Sequence, residues 1–321
     1  MQPLTIQSSN RLRDRLKTEM RLSIPGFESD NSTHPTLQYV FTARDCSSWF
    51  NDYQDYLLNR IGNGYYPVFR FSDGECYFCL GYRIPPPQPG VFPPYHYVKT
   101  WLSSYFKYRC YSTFWSGTPD SGFEKYSGKD WYSLRDKFAS SLRKIAEKGS
   151  IAACFCRHDT PSMIDCYIPN VYDWFDTNDV VLSDKNYVPF YFIYGMLLGP
   201  NKRKFLDGRS ILVITCLDEK KANGIRDYLE LHGAKSVDFI GISRSASMVE
   251  KIKLKPEHSK TDLVLIGAGV GAANILLQVE PLNAISIDAG FVLDCYSDPV
   301  FIGRRVYSKP DGDIFELAKK C

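Results

Sequence analysis

The sequence predicts an α/β fold built on a mostly parallel sheet with helices on both faces, and three observations carry that prediction. Strand-like apolar runs alternate with helix-patterned segments through the C-terminal half, the order that parallel crossovers require. One of these runs, Leu263 to Ile266, passes directly into a glycine loop and then a helix. Another, Tyr65 to Phe71, stops abruptly at Asp73-Gly74-Glu75, where two carboxylates flank a single glycine. Sheets of this kind bind ligands outside the carboxyl ends of their strands. Asp73, Asp159, Cys216, Ser243, Gly267 and Asp288 all fall at such ends.

Residues 1–40, with Ser, Asn and Pro scattered through Ser23 to Pro35, read as an N-terminal extension, and residues 41–321 as a single domain. Cys46 to Ile61 is expected to be helical because Trp49, Tyr53, Leu57 and Ile61 share one face. The strand Tyr65 to Phe71 follows, then a helix over Cys76 to Gly81. Pro85-Pro86-Pro87, Pro89 and Pro93-Pro94 make an extended, polyproline-like loop. Tyr97 to Tyr108 and Trp131 to Glu147 read as helices, the second stopped by Lys148-Gly149. Ser150 to Cys156 is a buried strand running into Arg157-His158-Asp159, and Val180 to Ser183 a short strand. Tyr187 to Leu198 is an apolar helix closed by Gly199-Pro200.

Beyond it the rhythm is regular. Strand Ser210 to Cys216 leads to helix Glu219 to Leu231, which ends at His232-Gly233. Strand Val237 to Ile242 is followed by a helix that Ser243 caps and that runs to Lys253. Strand Leu263 to Ile266, the loop Gly267-Ala268-Gly269-Val270-Gly271, helix Ala272 to Val279 and strand Ala284 to Ile287 complete the series.

Composition narrows the function. A formal charge of +3 over 321 residues is too small to argue for nucleic acid. Met1 to Met20 is polar and is not a secretory signal, and the longest apolar stretch, Val188 to Leu198, falls short of the roughly 18 residues of a membrane span. A cytoplasmic protein is expected, with Lys202-Arg203-Lys204 and Arg304-Arg305 able to hold it against the anionic inner face of a membrane. The ten cysteines then read as reduced, mostly buried thiols. Cys76-Tyr77-Phe78-Cys79 has zinc-knuckle spacing, but its only counterpart, Cys154-Phe155-Cys156, lies in a strand whose alternate residues face opposite ways, which argues against zinc.

The chemistry concentrates at two places. Along an extended backbone Asp73 and Glu75 would point the same way and could share a hard divalent cation, with Gly74 letting a phosphate come close. Asp-Gly is also a common turn dipeptide. The remaining oxygen ligands would come from the substrate, and a diphosphate is the natural source. Gly267-x-Gly269-x-x-Ala272, with Asp288 beyond it, fits a dinucleotide fingerprint and raises an NAD-dependent oxidoreductase as the rival reading. Too little chain follows Asp288 to complete a dinucleotide fold, and the same loop serves a sugar nucleotide equally well. A non-catalytic nucleotide-binding or interaction module, using the Pro-rich loop as ligand, is a third reading. Aromatic residues make up 15% of the chain, and Trp115, Trp131, Trp174, Tyr172 and Tyr126 lie in loops or at helix ends where flat faces could stack on sugar rings, although such residues are more often core.

The block Phe69-Arg70-Phe71-Ser72-Asp73-Gly74-Glu75 resembles the R-F-G-D-G-E block of the GT-D type glycosyltransferases, first described as a domain of unknown function, DUF1792, with Ser72 in place of glycine. Asp207 to Ile214, Val264 to Gly269 and Asn283 to Gly290 support the likeness, which spans about residues 65–296. The resemblance implies a Rossmann-like sheet of GT-D type and a nucleoside diphosphate sugar donor, commonly a UDP-sugar. It also implies Mn2+ or Mg2+ held by Asp73 and Glu75, and a glycan, glycoprotein or glycolipid acceptor. Where that family usually has a histidine after the Asp-x-Gly of the last strand, this chain has Phe291, followed by Asp294 and Cys295. Arg70, Ser72, Gly74, Gly267, Gly269 and Gly271 are the expected nucleotide-contacting residues. An inverting transfer needs a general base, for which Asp159 and His158 stand first and Asp288 and Asp294 behind them.

Overall fold

The computed structural model describes residues 46–80, 128–153, 174–175, 177–182, 186–216, 218–243 and 246–302. Its centre is a seven-stranded sheet made of β1 (Tyr66–Phe71), β2 (Ser150–Ala153), β3 (Tyr187–Pro189), β4 (Ser210–Thr215), β5 (Ser236–Gly241), β6 (Leu263–Gly267) and β7 (Ile285–Asp288). The spatial order is β3-β2-β1-β7-β6-β4-β5, and every pairing is parallel. The described helices are α1 (Cys46–Arg60), α2 (Asp73–Leu80), α3 (Gly128–Lys148), α4 (Phe190–Leu198), α5 (Arg203–Leu206), α6 (Glu219–Leu231), α7 (Ala272–Gln278) and α8 (Phe291–Ser297).

The strand sequences explain the architecture. A strand covered on both faces has no solvent side to fill with polar residues, so it reads as an unbroken apolar run. β2 and β7 are buried at every position, and β1, β4 and β6 at all but one. β5 (SVDFIG) mixes exposed and buried positions, as suits the edge strand that it is. On one side of the sheet Phe192 of α4 is edge-on to Trp49 and Phe50 of α1, with ring centroids 5.6 and 5.2 Å away. Elsewhere Phe138 of α3 packs edge-on to Phe69 of β1 and Phe78 of α2. Helices α6 and α8 come close enough that a Cβ on Gly224 would lie 2.1 Å from the carbonyl oxygen of Ser297.

Four expectations are corrected. Val180 to Leu182 has no regular structure, and the strand beside β2 is Tyr187–Pro189 instead. Proline is the reason: it holds Val188 out of the helical region, so the helix expected from Tyr187 begins only at Phe190, with Pro189 as an extended N-cap. The helix expected from Ser243 to Lys253 is also missing, and residues 246–249 form turns. Side chains of α7 take the backbone groups that a helix would have paired. Asn274 Nδ2 donates to the carbonyls of Ser247 and Glu250, Gln278 Nε2 donates to Glu250 O, and Ile252 N donates to Gln278 Oε1 at 3.0 Å. Finally, α2 begins at Asp73 rather than Cys76, which changes the geometry of the carboxylate motif described below.

Gln278→Leu removes the acceptor for Ile252 N–H and one donor to Glu250 O. It should lower stability by about 1–3 kcal/mol in urea denaturation, the cost of stranding part-buried backbone groups. An unchanged midpoint would contradict this account of the turn.

Candidate active site

A cleft of about 370 Å³ opens at the carboxyl ends of β1, β7, β6, β4 and β5. Its walls are Arg70 near the end of β1 with Ser72, Gly74 and Glu75 after it, Thr215 at the end of β4 with Cys216 after it and Lys221 from α6, and Ile242 and Ser243 after β5. Gly267 ends β6 and Ala268 to Val270 follow it, Gly290, Phe291 and Asp294 follow β7, and Phe190 and Tyr194 lean in from α4. A second hollow of about 550 Å³ lies between α3, α7 and the 246–252 turns. Its amides Asn274 and Gln278 are tied to backbone, and it lacks the convergent carboxylates of the first.

The local sequence Ser72-Asp73-Gly74-Glu75 folds as a helix start. Cys76 N donates to Ser72 O at 3.0 Å, and Ser72 N donates to Glu75 Oε2 at 2.8 Å, which is the returning half of an S-x-x-E capping box. The extended alternation expected for the motif therefore does not apply. Positions 73 and 75 are separated by about 200° around the helix axis, and it is the helix N-terminus that brings them to the same end of the element. Gly74 has an ordinary φ, and no atom lies within 4 Å of where its Cβ would stand. Packing does not ask for glycine there, although glycine in a helix costs roughly 0.5–1 kcal/mol relative to alanine. The space it leaves belongs to the cleft.

The charges are coupled in a line. Arg70 donates from its backbone N to Asp288 Oδ2 at 3.3 Å and from Nε to Asp288 O at 2.7 Å, while Nη2 lies 3.5 Å from Asp288 Oδ1. Nη1 donates to Tyr194 Oη at 2.8 Å, and the guanidinium sits 5.5 Å from the centre of the Phe190 ring. Burial pushes the Asp288 carboxyl up, and Arg70 opposes that shift. Glu75, 7% exposed, is raised from 4.5 to about 7, first by burial and then by the Asp288 charge. Burial and the neighbouring Asp288 charge both disfavour the ionised form of Glu75, a cost that a bound hard cation would relieve. Among the described residues no three His, Cys, Asp or Glu side chains converge, so an ion at this site would need oxygens beyond the protein's own to complete its shell.

The glycine loop is only partly what its pattern suggested. A Cβ on Gly267 would meet Leu293 Cδ1 at 2.8 Å and Thr215 Oγ1 at 2.9 Å, and one on Gly271 would meet Ser247 Oγ at 2.1 Å. Packing accounts for both. Gly269, at φ +55°, turns the loop along the cleft, and the seven-residue helix α7 begins after a single 3₁₀ turn. Asp288 is 2% exposed and held by Arg70, so its carboxylate does not face the cleft as a ribose-binding acid must. Asp294 does line the cleft and pairs with Lys221, Nζ to Oδ1 2.8 Å. Phe291 lines it too, edge-on to Phe301. His158 and Asp159 lie outside the described residues, as do Cys154 and Cys156; Cys76 and Cys79 are buried free thiols.

Two cleft residues escaped the sequence reading. Lys221 sits in the first turn of a helix, where a lysine reads as a solvated charge. Tyr194 sits in a helix so apolar that it reads as core throughout. The available signals were the i, i+4 pair Phe190 and Tyr194 and the capping spacing of Asp218 and Lys221.

No protein-family model and no curated protein matches the chain. A solved structure described as a domain of unknown function 1792 is similar to it at 14% identity and a TM-score of 0.41, over 74% of this chain and 82% of that one.

The Glu75 shift has a testable sign. Its pKa is higher folded than unfolded, so its contribution to stability is full below pH 4.5 and is lost as pH rises through about 7. With chelator present, the parent protein should lose on the order of 3 kcal/mol across that window through this group, and Glu75→Gln should lose correspondingly less. Urea denaturation at several pH values measures it, and equal slopes in both proteins would contradict the assignment.

Proposed function

We propose that the protein is a metal-dependent glycosyltransferase that moves a sugar from a nucleoside diphosphate donor, a UDP-sugar by preference, to a hydroxyl of a glycan or glycoconjugate. One observation carries the reading: Gly74, unfilled, and Glu75 of a helix-start D-x-E motif line a cleft across the carboxyl ends of five parallel strands.

The demands of the reaction match the residues. Breaking the bond between sugar and phosphate leaves its electron pair on a diphosphate, so the site must stabilise negative charge. Asp73 and Glu75 would hold Mn2+ or Mg2+, which when bound supplies that neutralisation. Gly74 leaves room for a phosphate to reach the backbone at the start of α2. Arg70 keeps a fixed positive charge at the cleft floor, since its position is set by Asp288 and Tyr194. Phe190 and Phe291 offer apolar faces for a sugar or base. Of the candidate bases in the described residues, Asp294 is the one that lines the cleft, whereas Asp288 is enclosed.

A thermal-shift comparison of UDP, GDP and NAD, each with and without manganese, tests the reading. UDP with manganese should raise Tm by several degrees, and NAD alone should not. Asp73→Asn and Glu75→Gln should each abolish turnover of the donor while leaving the unfolding transition cooperative. Full activity in either variant, with metal still required, would remove the motif from the site, and stabilisation by NAD alone would favour an oxidoreductase.

A further inference from the structure

We propose that Lys221 is the cation that takes the donor's diphosphate, and that it does so by exchanging partners, leaving Asp294 for the phosphate and freeing that carboxylate into the cleft. This rests on the donor reading above and adds to it the ion pair that answers the anion's arrival.

Two cations line the cleft among the described residues, Arg70 and Lys221, and they are held very differently. Arg70 is 12% exposed, with Nε and Nη2 on Asp288 and Nη1 on Tyr194. Turning it toward a ligand would leave the buried Asp288 uncompensated, so it stays where it is. Lys221 has a single acidic partner, Asp294 on another helix, and the two side chains are 22% and 40% exposed. Ion pairs this accessible are weak, and lysine is a point charge with three donors on a flexible stem. It can trade one oxygen anion for another without rebuilding its surroundings.

Helix stability does not call for this lysine. It is the third residue of α6, where the positive end of the helix disfavours a cation, and Asp218 Oδ1 already accepts from its backbone N at 2.8 Å. What the position provides is an ammonium at the cleft wall, beside Thr215, Cys216 and the loop from Gly267. Asp294 stands in the first turn of α8, on the segment that follows Asp288-Ala289-Gly290. A diphosphate carries more charge and more acceptor oxygens than one carboxylate, so it displaces Asp294 rather than sharing Lys221 with it.

The test is a calorimetric double-mutant cycle with Lys221→Met, Asp294→Asn and the double variant. Each is titrated with inorganic pyrophosphate in chelator and with UDP plus manganese, after circular dichroism confirms folding. Lys221→Met should weaken pyrophosphate by about tenfold and flatten its salt dependence. Asp294→Asn should tighten it severalfold, and that gain should vanish in the double variant. The proposal is overturned if the parent does not bind pyrophosphate, if Lys221→Met binds it as the parent does, or if the Asp294→Asn gain persists without Lys221. If Lys221→Met does not fold, Asp294→Asn decides alone, and an affinity equal to the parent's overturns the exchange. Lys221-dependent binding of pyrophosphate with no binding of UDP plus manganese leaves the anion site standing and overturns the donor reading instead.

Discussion

The buried pair of Arg70 and Asp288 is the constraint on which the rest of the site depends. The two residues are 218 positions apart in sequence, on the adjacent parallel strands β1 and β7, and their contacts fasten these strands at the carboxyl edge. A buried ion pair is tolerable only when its remaining hydrogen-bonding groups are met. Here the Asp288 carboxylate takes the Arg70 backbone N–H as well as the guanidinium, and Tyr194 accepts from Nη1. Gly290 makes the arrangement possible, because a Cβ there would lie 1.5 Å from Arg70 Nη2 and its φ of +44° suits glycine. A glycine two residues after the strand-end aspartate is therefore a steric requirement of the arginine on the neighbouring strand.

From that pair the electrostatics of the cleft follow. Arg70 fixes the position of Asp288, and the Asp288 charge adds to burial in raising Glu75. Glu75 meanwhile closes the N-terminus of α2 through Ser72, so one side chain both ends the strand-to-helix turn and presents a carboxyl to the cleft. Fold and chemistry share the same atoms here, which is why a glutamine at position 75 is the informative change: it keeps the cap's acceptor oxygen and loses only the charge.

The fold was legible in the sequence wherever strands are buried on both faces, since β1, β4 and β6 are mostly apolar runs and burial leaves little else for them to be. It was least legible where tertiary contacts override local pattern. The segment from Ser243 to Lys253 has helical periodicity, yet the amides of Asn274 and Gln278 claim its backbone groups, and nothing within the segment announces them. Pro189 itself argues against a helix from Tyr187, because its local rule is strict. In the site, the carboxylate motif and Arg70 are visible in the sequence as types, but Ser72 and Glu75 start a helix, so strand alternation does not place the two carboxylates. The glycines at 267 and 271 illustrate the same limit: their pattern suggests a phosphate cradle, and their neighbours show close packing.

The most direct test of the central claim, a cleft in which protein and nucleotide together complete a cation's shell, is the affinity for Mn2+ measured by water-proton relaxation with and without UDP. If, as proposed, Asp73 and Glu75 supply part of the shell and the nucleotide the remaining oxygens, Mn2+ should bind weakly alone and at least about tenfold more tightly with UDP, and UDP should gain the same factor from Mn2+. Mn2+ that binds equally well with and without UDP, or that fails to bind even with UDP present, would contradict the account.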